Sequence, residues 1–523
     1  MLEMPESSWA TDTALKLTAV LAAGAALIGF TTQQQGGNLQ PPPRQGAGQQ
    51  GPDRQGGGRN GGRRGGGPQE TAESMQTTVP DHTGDVVLCR PTATSIGISV
   101  MLKTAAKIAA EVTGPAGKPQ IAEAEEAQAA TPCLLAVKNL KPDTAYTYRL
   151  INSKTGAQIL PETGSYHFHT QRAPGAGFTF VLQADSHLDS NSATGVYKSA
   201  LANEAADNPD FLIDLGDTFM TGKHPGRESA AKQYLAQRYY IGQVGQNAPV
   251  FLTIGNHDGE ELKRPGTGAA DGLAVWSCLQ RKKYFPNPEP DAFYTGNTTP
   301  NPFAGSLQNY YAYTWGDALF VVLDPYWTSG NTRRGENPWA MSLGEAQYKW
   351  LAKTLRASSA KYKFLFIHQL VGGTADGGRG GSDVAGLFEW GGKDYAGADT
   401  FAANRPGWER PIHAVLKETG VSAVFHGHDH FYAHQEKDGI VYQLVPQPSA
   451  ANTRNDHAEE YGYLKGDFLP SSGHLRVHVT PAEVTVQYVR ASGQDMRGPQ
   501  LKNAAIAAEY HIKPAAKLAR AAQ

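Results

Sequence analysis

From Gly177 onward the chain alternates between two patterns of apolar and polar positions. "FTFVLQADSH" is a short apolar run of the kind that forms a buried strand. The following "ATGVYKSALANEAA" instead places Val196, Ala200, Leu201 and Ala205 on one helical face. The same alternation continues through "DFLIDLGD" (strand), Glu228 to Gln243 (helix) and "PVFLTIGNHD" (strand), then "ALFVVLD" and "KFLFIH", both strands. Between the last two, Ser342-Leu343-Gly344-Glu345 has the spacing of a capping box and predicts a helix start. "PIHAVLKETG" then leads into a final strand, "VSAVFHGHDH". Repeated strand, loop and helix predict an α/β domain whose sheet is covered on both faces, with functional side chains at the carboxyl ends of strands.

Upstream the period changes. Between Val79 and Arg172 the apolar segments are short ("SIGISVML", "KIAAEVTG", "CLLAVKNL", "AYTYRLI", "SYHFHT") and separated by Gly, Pro and Asp turns, which predicts a small all-β sandwich. Within it, "NLKPDTAYTYRL" puts Leu140 and the turn Lys141-Pro142-Asp143 ahead of Tyr146 and Tyr148. That arrangement resembles the corner between two strands of a fibronectin type III domain, a likeness that bears on fold and not on chemistry. His167 and His169 fall two apart in the last of these strands and read as same-face strand residues.

The segment 36–78 is rich in Gly, Gln and Pro and almost free of apolar residues until its end, so it cannot bury enough surface to offset chain entropy. Its five arginines between Arg44 and Arg64 have no interleaved aromatics on which bases could stack, so it reads as a flexible linker and no nucleic-acid partner is expected. Before it, the uncharged run Leu17–Phe30 is 14 residues long, which suits a signal-peptide core better than a span of about 20 residues. Export to the periplasm or outside the cell is the reading, with an uncleaved anchor as its alternative. The predicted organisation is therefore 1–35 signal or anchor, 36–78 linker, 79–172 sandwich, 173–495 α/β domain and 496–523 an Ala-rich tail reading as a short helix.

Composition removes several functions. Lys+Arg 47 against Asp+Glu 49 leaves a net charge of -2, so overall charge recruits neither nucleic acid nor anionic lipid. The three cysteines, Cys89, Cys133 and Cys278, lack CxxC spacing, and Cys89 with Cys133 is the candidate disulfide.

Chemistry gathers at strand ends. Five apolar strands finish in Asp185-Ser186-His187, Gly216-Asp217, Gly255-Asn256-His257-Asp258, His368, and His426-Gly427-His428-Asp429-His430. These donors are hard or borderline, suited to Mn, Fe, Zn or Mg, and seven of them exceed what one tetrahedral ion needs. One carboxylate shared by two ions would account for the surplus. His426 reads as a supporting or packed strand residue, and His434 lies beyond the pattern.

This ordered set resembles the calcineurin-like metallophosphoesterase superfamily, with its pattern D-x-H, G-D, G-N-H-[DE], H, G-H-x-H, over Phe178 to Arg490. The resemblance implies two stacked mixed β-sheets flanked by helices. It also implies a dinuclear centre in which Asp185, His187 and His430 hold one metal, Asn256, His368 and His428 the other, and Asp217 bridges them. A phosphate ester substrate then follows, attacked in line by a metal-bridging hydroxide. His257 would neutralise the phosphate or protonate the leaving oxygen. Some relatives orient this histidine with a carboxylate three residues after the bridging Asp; Met220 stands there, leaving Asp258 or Asp214 as substitutes.

A sandwich ahead of the catalytic domain is also similar to purple acid phosphatases, whose iron-binding tyrosine is likewise replaced by Met220, so no purple absorption is expected. Arg379, in the Gly-rich stretch after His368, could reach a phosphate. Tyr326, Trp327 and Trp390 read either as pocket walls or as core. A phosphomonoesterase is the leading expectation and a phosphodiesterase the second. A catalytically silent surface-binding protein is the rival from another class.

Overall fold

Two β-sheets face each other across an aromatic core in the computed structural model, which describes residues 71–514 apart from 73, 263–265, 330–336, 372–378, 453–456 and 499–500. The apolar run at 17–30 and the linker up to residue 70 lie outside the described residues. One sheet has six strands in the order Val250–Leu252, Phe211–Asp214, Phe178–Gln183, Gly473–Val479, Val484–Arg490 and Ile506–Ile512. The first three are mutually parallel and the rest antiparallel. The other sheet has eight strands, and its centre is the parallel set Ala318–Val322, Tyr362–Ile367, Ala423–His426 and Ile440–Leu444.

Period-two alternation explains the layers. Phe180 and Leu182 point into the space between the sheets, where they meet Phe320, Phe364 and Phe366, while Val181 points outward to a helical layer. Phe180 stands edge-on to Phe320 with centroids 5.2 Å apart, a favourable arrangement of ring quadrupoles. Helices Thr194–Ala206 and Arg227–Gly245 cover the outer face of the six-stranded sheet. Gly344–Ala357 and Ile412–Glu418 cover the eight-stranded one. Strands buried on both faces read as unbroken apolar runs. Among the described residues no helix is long and apolar enough to cross a membrane.

Ahead of this domain, strands Gly84–Cys89, Ile96–Leu102 and Cys133–Val137 form one small sheet, and Ala106–Thr113 with Ala145–Asn152 centre a second. Val86, Ile98 and Val100 from the first share a core with Ile108, Val112 and Tyr148 from the second. At the turn singled out above, Lys141 N donates to Tyr146 Oη at 2.8 Å, tying the turn to the strand that follows. The two units are stapled together by Arg238, fully buried on the Arg227–Gly245 helix: its Nε reaches Asp85 at 2.6 Å and Nη1 reaches Ser99 Oγ at 2.9 Å.

Four expectations need correction. All three cysteines are free, so the Cys89–Cys133 disulfide is absent. Ser342 Oγ accepts from Gly344 N at 2.9 Å, but Glu345 pairs forward with Lys349 at 2.6 Å, so the reciprocal capping box is not made. In the Ala-rich tail, Ile506–Ile512 is a strand paired antiparallel with Val484–Arg490; an open sheet edge outweighs the helix preference of alanine. Finally, the last residues of the linker segment are packed: Met75 is buried, Gln76 N donates to Leu188 O at 2.8 Å, and Gln76 Nε2 reaches Asp189 O at 2.8 Å.

Candidate metal centre

Each of the five strand-end motifs leaves its sheet at the same edge, and the structure brings all seven expected ligands together. Asp185, His187 and His430 form one group and Asp217, His368 and His428 a second, with ligand atoms in each group within 4.8 Å of one another. Asn256 joins the second group, its Oδ1 lying 3.0 Å from His368 Nε2. In the first group, Asp185 Oδ1 stands 3.7 Å from His187 Nε2 and 3.5 Å from His430 Nε2. In the second, His368 Nε2 is 3.5 Å from Asp217 Oδ2 and 3.3 Å from His428 Nδ1. Donors bound about 2.1 Å from one ion stand about 3.0–3.5 Å apart, so these spacings match the edges of coordination shells.

Local backbone explains how loops deliver donors so closely. Asp185, His187, Asp217, His428 and His430 all have φ between 52° and 81°, a region that residues other than glycine seldom adopt. The glycine before Asp217 and the one before Asn256 serve a different need. A Cβ on Gly216 would come within 2.5 Å of Gly255 N, and one on Gly255 would collide with Asp217 N and Oδ1. These two motifs therefore touch backbone to backbone, and only glycine permits it.

The donor set fits metal ions. Asp185 Oδ1 and His187 Nε2 are buried and have no hydrogen-bond partner among the described residues, a costly state that a shared cation relieves. The opposite ring nitrogens are held: His187 Nδ1 faces Asp189 Oδ2 at 3.2 Å, and His368 Nδ1 faces Leu215 O at 2.8 Å. Each of these contacts directs Nε2 of the ring toward its donor group. Burial disfavours ionised Asp185, yet His430, His187 and His368 hold its carboxyl well below the usual range. Burial likewise pulls the imidazoles down, but Asp185 with Asp189 pushes His187 up to about 9, and Asp217 with Asp185 pushes His368 up to about 10. These carboxylates collect positive charge at the positions where two cations would bind.

His257 is placed by its backbone: N donates to Asp217 Oδ1 at 2.7 Å and O accepts from Gly222 N at 2.8 Å. Neither Asp258 nor Asp214 orients its ring. Asp258 instead accepts from Asp217 N at 3.0 Å, Gly255 N at 2.8 Å and Phe219 N at 2.8 Å, tying two ligand loops together. Asp214 accepts from Gly216 N at 2.9 Å and Thr218 Oγ1 at 2.6 Å. Burial, aided by Lys223, His187 and His368 and opposed by Asp217, pushes His257 down to about 3.

Aromatic residues near the site are core. Trp390 is fully buried and donates to Tyr442 Oη at 2.9 Å, Trp327 donates to Glu260 Oε2 at 2.9 Å, and Tyr326 packs against His368 with centroids 6.2 Å apart. His426 is buried behind the site beside Tyr463, and His434 faces Asp467 at 3.5 Å, outside it. Met220 is buried and offers no oxygen donor. Sequence reasoning missed Asp189, and also Gln233 and Gln237. Gln233 Nε2 reaches His187 O and, at 2.8 Å, Thr218 O; Gln237 Nε2 reaches Thr218 O at 2.9 Å. Two glutamines four apart on the buried face of a helix were the available signal.

Residues 178–432 match the family model described as Calcineurin-like phosphoesterase. That segment belongs to the family. Among curated proteins, tartrate-resistant acid phosphatase type 5 of Mus musculus is 23% identical over 299 residues, covering 55% of this chain and 77% of its own. The Sus scrofa protein of the same name is 22% identical over 321 residues, covering 58% and 78%. Among solved structures, PhoD superposes with a TM-score of 0.58 at 16% identity, over 83% of this chain and 92% of its own. A purple acid phosphatase from yellow lupin (Lupinus luteus) gives 0.51 at 13%, over 82% and 74%. The calcineurin-like fold thus extends beyond the matched segment in likeness, while both structural similarities speak to fold alone.

Proposed function

We propose that this protein is an exported, dinuclear metal-dependent phosphoric ester hydrolase acting on small phosphate esters, most simply monoesters. One observation carries the reading. Asp217 Oδ2 faces both donor groups, 3.9 Å from His187 Nε2 and 3.5 Å from His368 Nε2, where it would serve an ion in either group. The acid phosphatases similar to this chain support the reaction class.

When bound, two such ions hold phosphate oxygens, activate water and neutralise charge developing in an in-line displacement. Asp185, His187 and His430 would hold one, and Asn256, His368 and His428 the other. Chain residues do the rest. Asp189 and the Leu215 carbonyl fix the two imidazoles, and Asp258 holds the Asp217 and Asn256 loops in register. His257, whose ring has no hydrogen bond among the described residues, is free to donate a hydrogen bond to a phosphate or ester oxygen.

Export rests on the apolar run 17–30 and is tested by the N-terminal sequence of the mature protein. The activity is tested by measuring metal content and hydrolysis of p-nitrophenyl phosphate and its bis ester with Mn, Zn, Fe and Mg. Two metal equivalents with turnover of either ester are expected. No bound transition metal together with no hydrolysis of either would overturn the reading.

A further inference from the structure

We infer that Arg379 is a substrate-binding residue that selects phosphomonoester dianions over diesters; this deepens the proposed function and rests on it. Arg379 is held from three sides. Its backbone N donates to Tyr461 O at 2.9 Å, Nε pairs with Asp429 Oδ1 at 2.8 Å, and Cζ lies 3.9 Å from the centroid of the Tyr461 ring. Asp429 is itself buried between the two ligands His428 and His430, and its Oδ2 accepts from Tyr463 Oη at 2.8 Å. That buried carboxylate forms an ion pair with the guanidinium at Nε and holds it in place.

The guanidinium ends at the second donor group. Nη2 lies 3.1 Å from His428 Nε2 and 3.3 Å from His428 O, and Nη1 has no partner among the described residues. The side chain is 20% exposed while its Nε is buried, so solvent reaches part of the side chain beside the second donor group. Freezing a guanidinium by ion pair, ring stacking and backbone bond makes a preorganised oxyanion receptor.

Substrate charge decides what such a receptor distinguishes. A monoester phosphate carries three terminal oxygens and close to two charges at neutral pH. If two oxygens face the two donor groups, a third charged oxygen remains for Arg379. In a diester that oxygen carries an alcohol and no charge, so the guanidinium gains nothing and its bulk opposes the second ester group.

The test compares Arg379→Gln and Arg379→Lys with the unaltered protein at equal metal loading. It measures steady-state kinetics on p-nitrophenyl phosphate and its bis ester, and inorganic phosphate binding by calorimetry. For Arg379→Gln, kcat/KM on the monoester is expected to fall about 30-fold, mainly through KM, the size of one lost charge-assisted hydrogen bond. Phosphate Kd should rise by a similar factor and diester turnover stay within about twofold. Arg379→Lys keeps the charge against Asp429 but loses the fork, and should recover only part. If the Gln variant loses metal or fails to fold, the Lys variant is judged by the same criteria. Equal losses on both esters, or unchanged monoester kinetics and phosphate affinity, would overturn the inference. Failure of the proposed function reads differently, as an unaltered protein that hydrolyses neither ester.

Discussion

His187 turns Nδ1 toward Asp189 Oδ2 at 3.2 Å, and Lys223 Nζ approaches the same carboxylate at 3.9 Å. A carboxylate behind a ligating imidazole fixes its tautomer and raises its basicity, and losing it typically costs 10- to 100-fold in metal affinity. Asp189→Asn keeps the shape but removes the charge. Chelator competition should therefore show metal binding weakened by about that factor, and unchanged affinity would refute a role for Asp189.

Asp217 and His257 are adjacent but predict opposite phenotypes. Asp217→Asn removes the charge facing both groups and should release both ions and abolish turnover. His257→Ala should keep the metals and lose about 10²- to 10⁴-fold in rate, the usual contribution of a positioned acid–base or hydrogen-bonding group. Elemental analysis of the two purified variants separates them. Metal loss from His257→Ala would mean that His257 helps hold an ion.

The metal-free protein should lose stability as pH rises. His187 at about 9 and His368 at about 10 bind protons more tightly folded than an unfolded imidazole does near 6.5. Their contribution is fully present below pH 6.5 and disappears as pH climbs through 9 and then 10. Tm of chelator-treated protein should fall across that window and fall less with metal bound. A flat or rising profile would contradict the charge arrangement.

Arg238 and Asp85 form a buried ion pair at 2.6 Å between the helix Arg227–Gly245 and the sandwich. Removing one partner strands a buried charge, so Arg238→Ala is expected to destabilise the protein by about 3–5 kcal/mol in denaturant titration. A change below about 1 kcal/mol would show the pair to be dispensable.

What the sequence made legible follows from the range of the interactions involved. Asp185, Asp217, Asn256, His368 and the GHDH pair were visible because each follows its own strand and polar residues there have little structural use. Asp189 was invisible because its function is to face His187, and Asp-x-x-Ser after a turn is ordinary. Asp214 and Asp258 have the right neighbourhood in sequence but another partner in the fold: both hold backbone amides rather than the ring of His257. The strand Ile506–Ile512 looks helical in sequence because its pairing partner, the edge at Val484–Arg490, is a tertiary fact. The stack of Arg379 on Tyr461 joins residues 82 positions apart and left no local trace.

The buried contact of Arg238 with the sandwich, together with Gln76 behind Leu188 and Asp189, changes what counts as the smallest working protein. A fragment beginning at the first strand of the phosphoesterase segment would carry every candidate ligand yet strip Arg238 of Asp85 and Ser99, leaving Tyr284 O as its partner, and leave the Leu188–Asp189 loop without its brace. The sandwich is thereby part of the catalytic scaffold's own foundation, and the shortest fragment expected to remain whole begins near Met75.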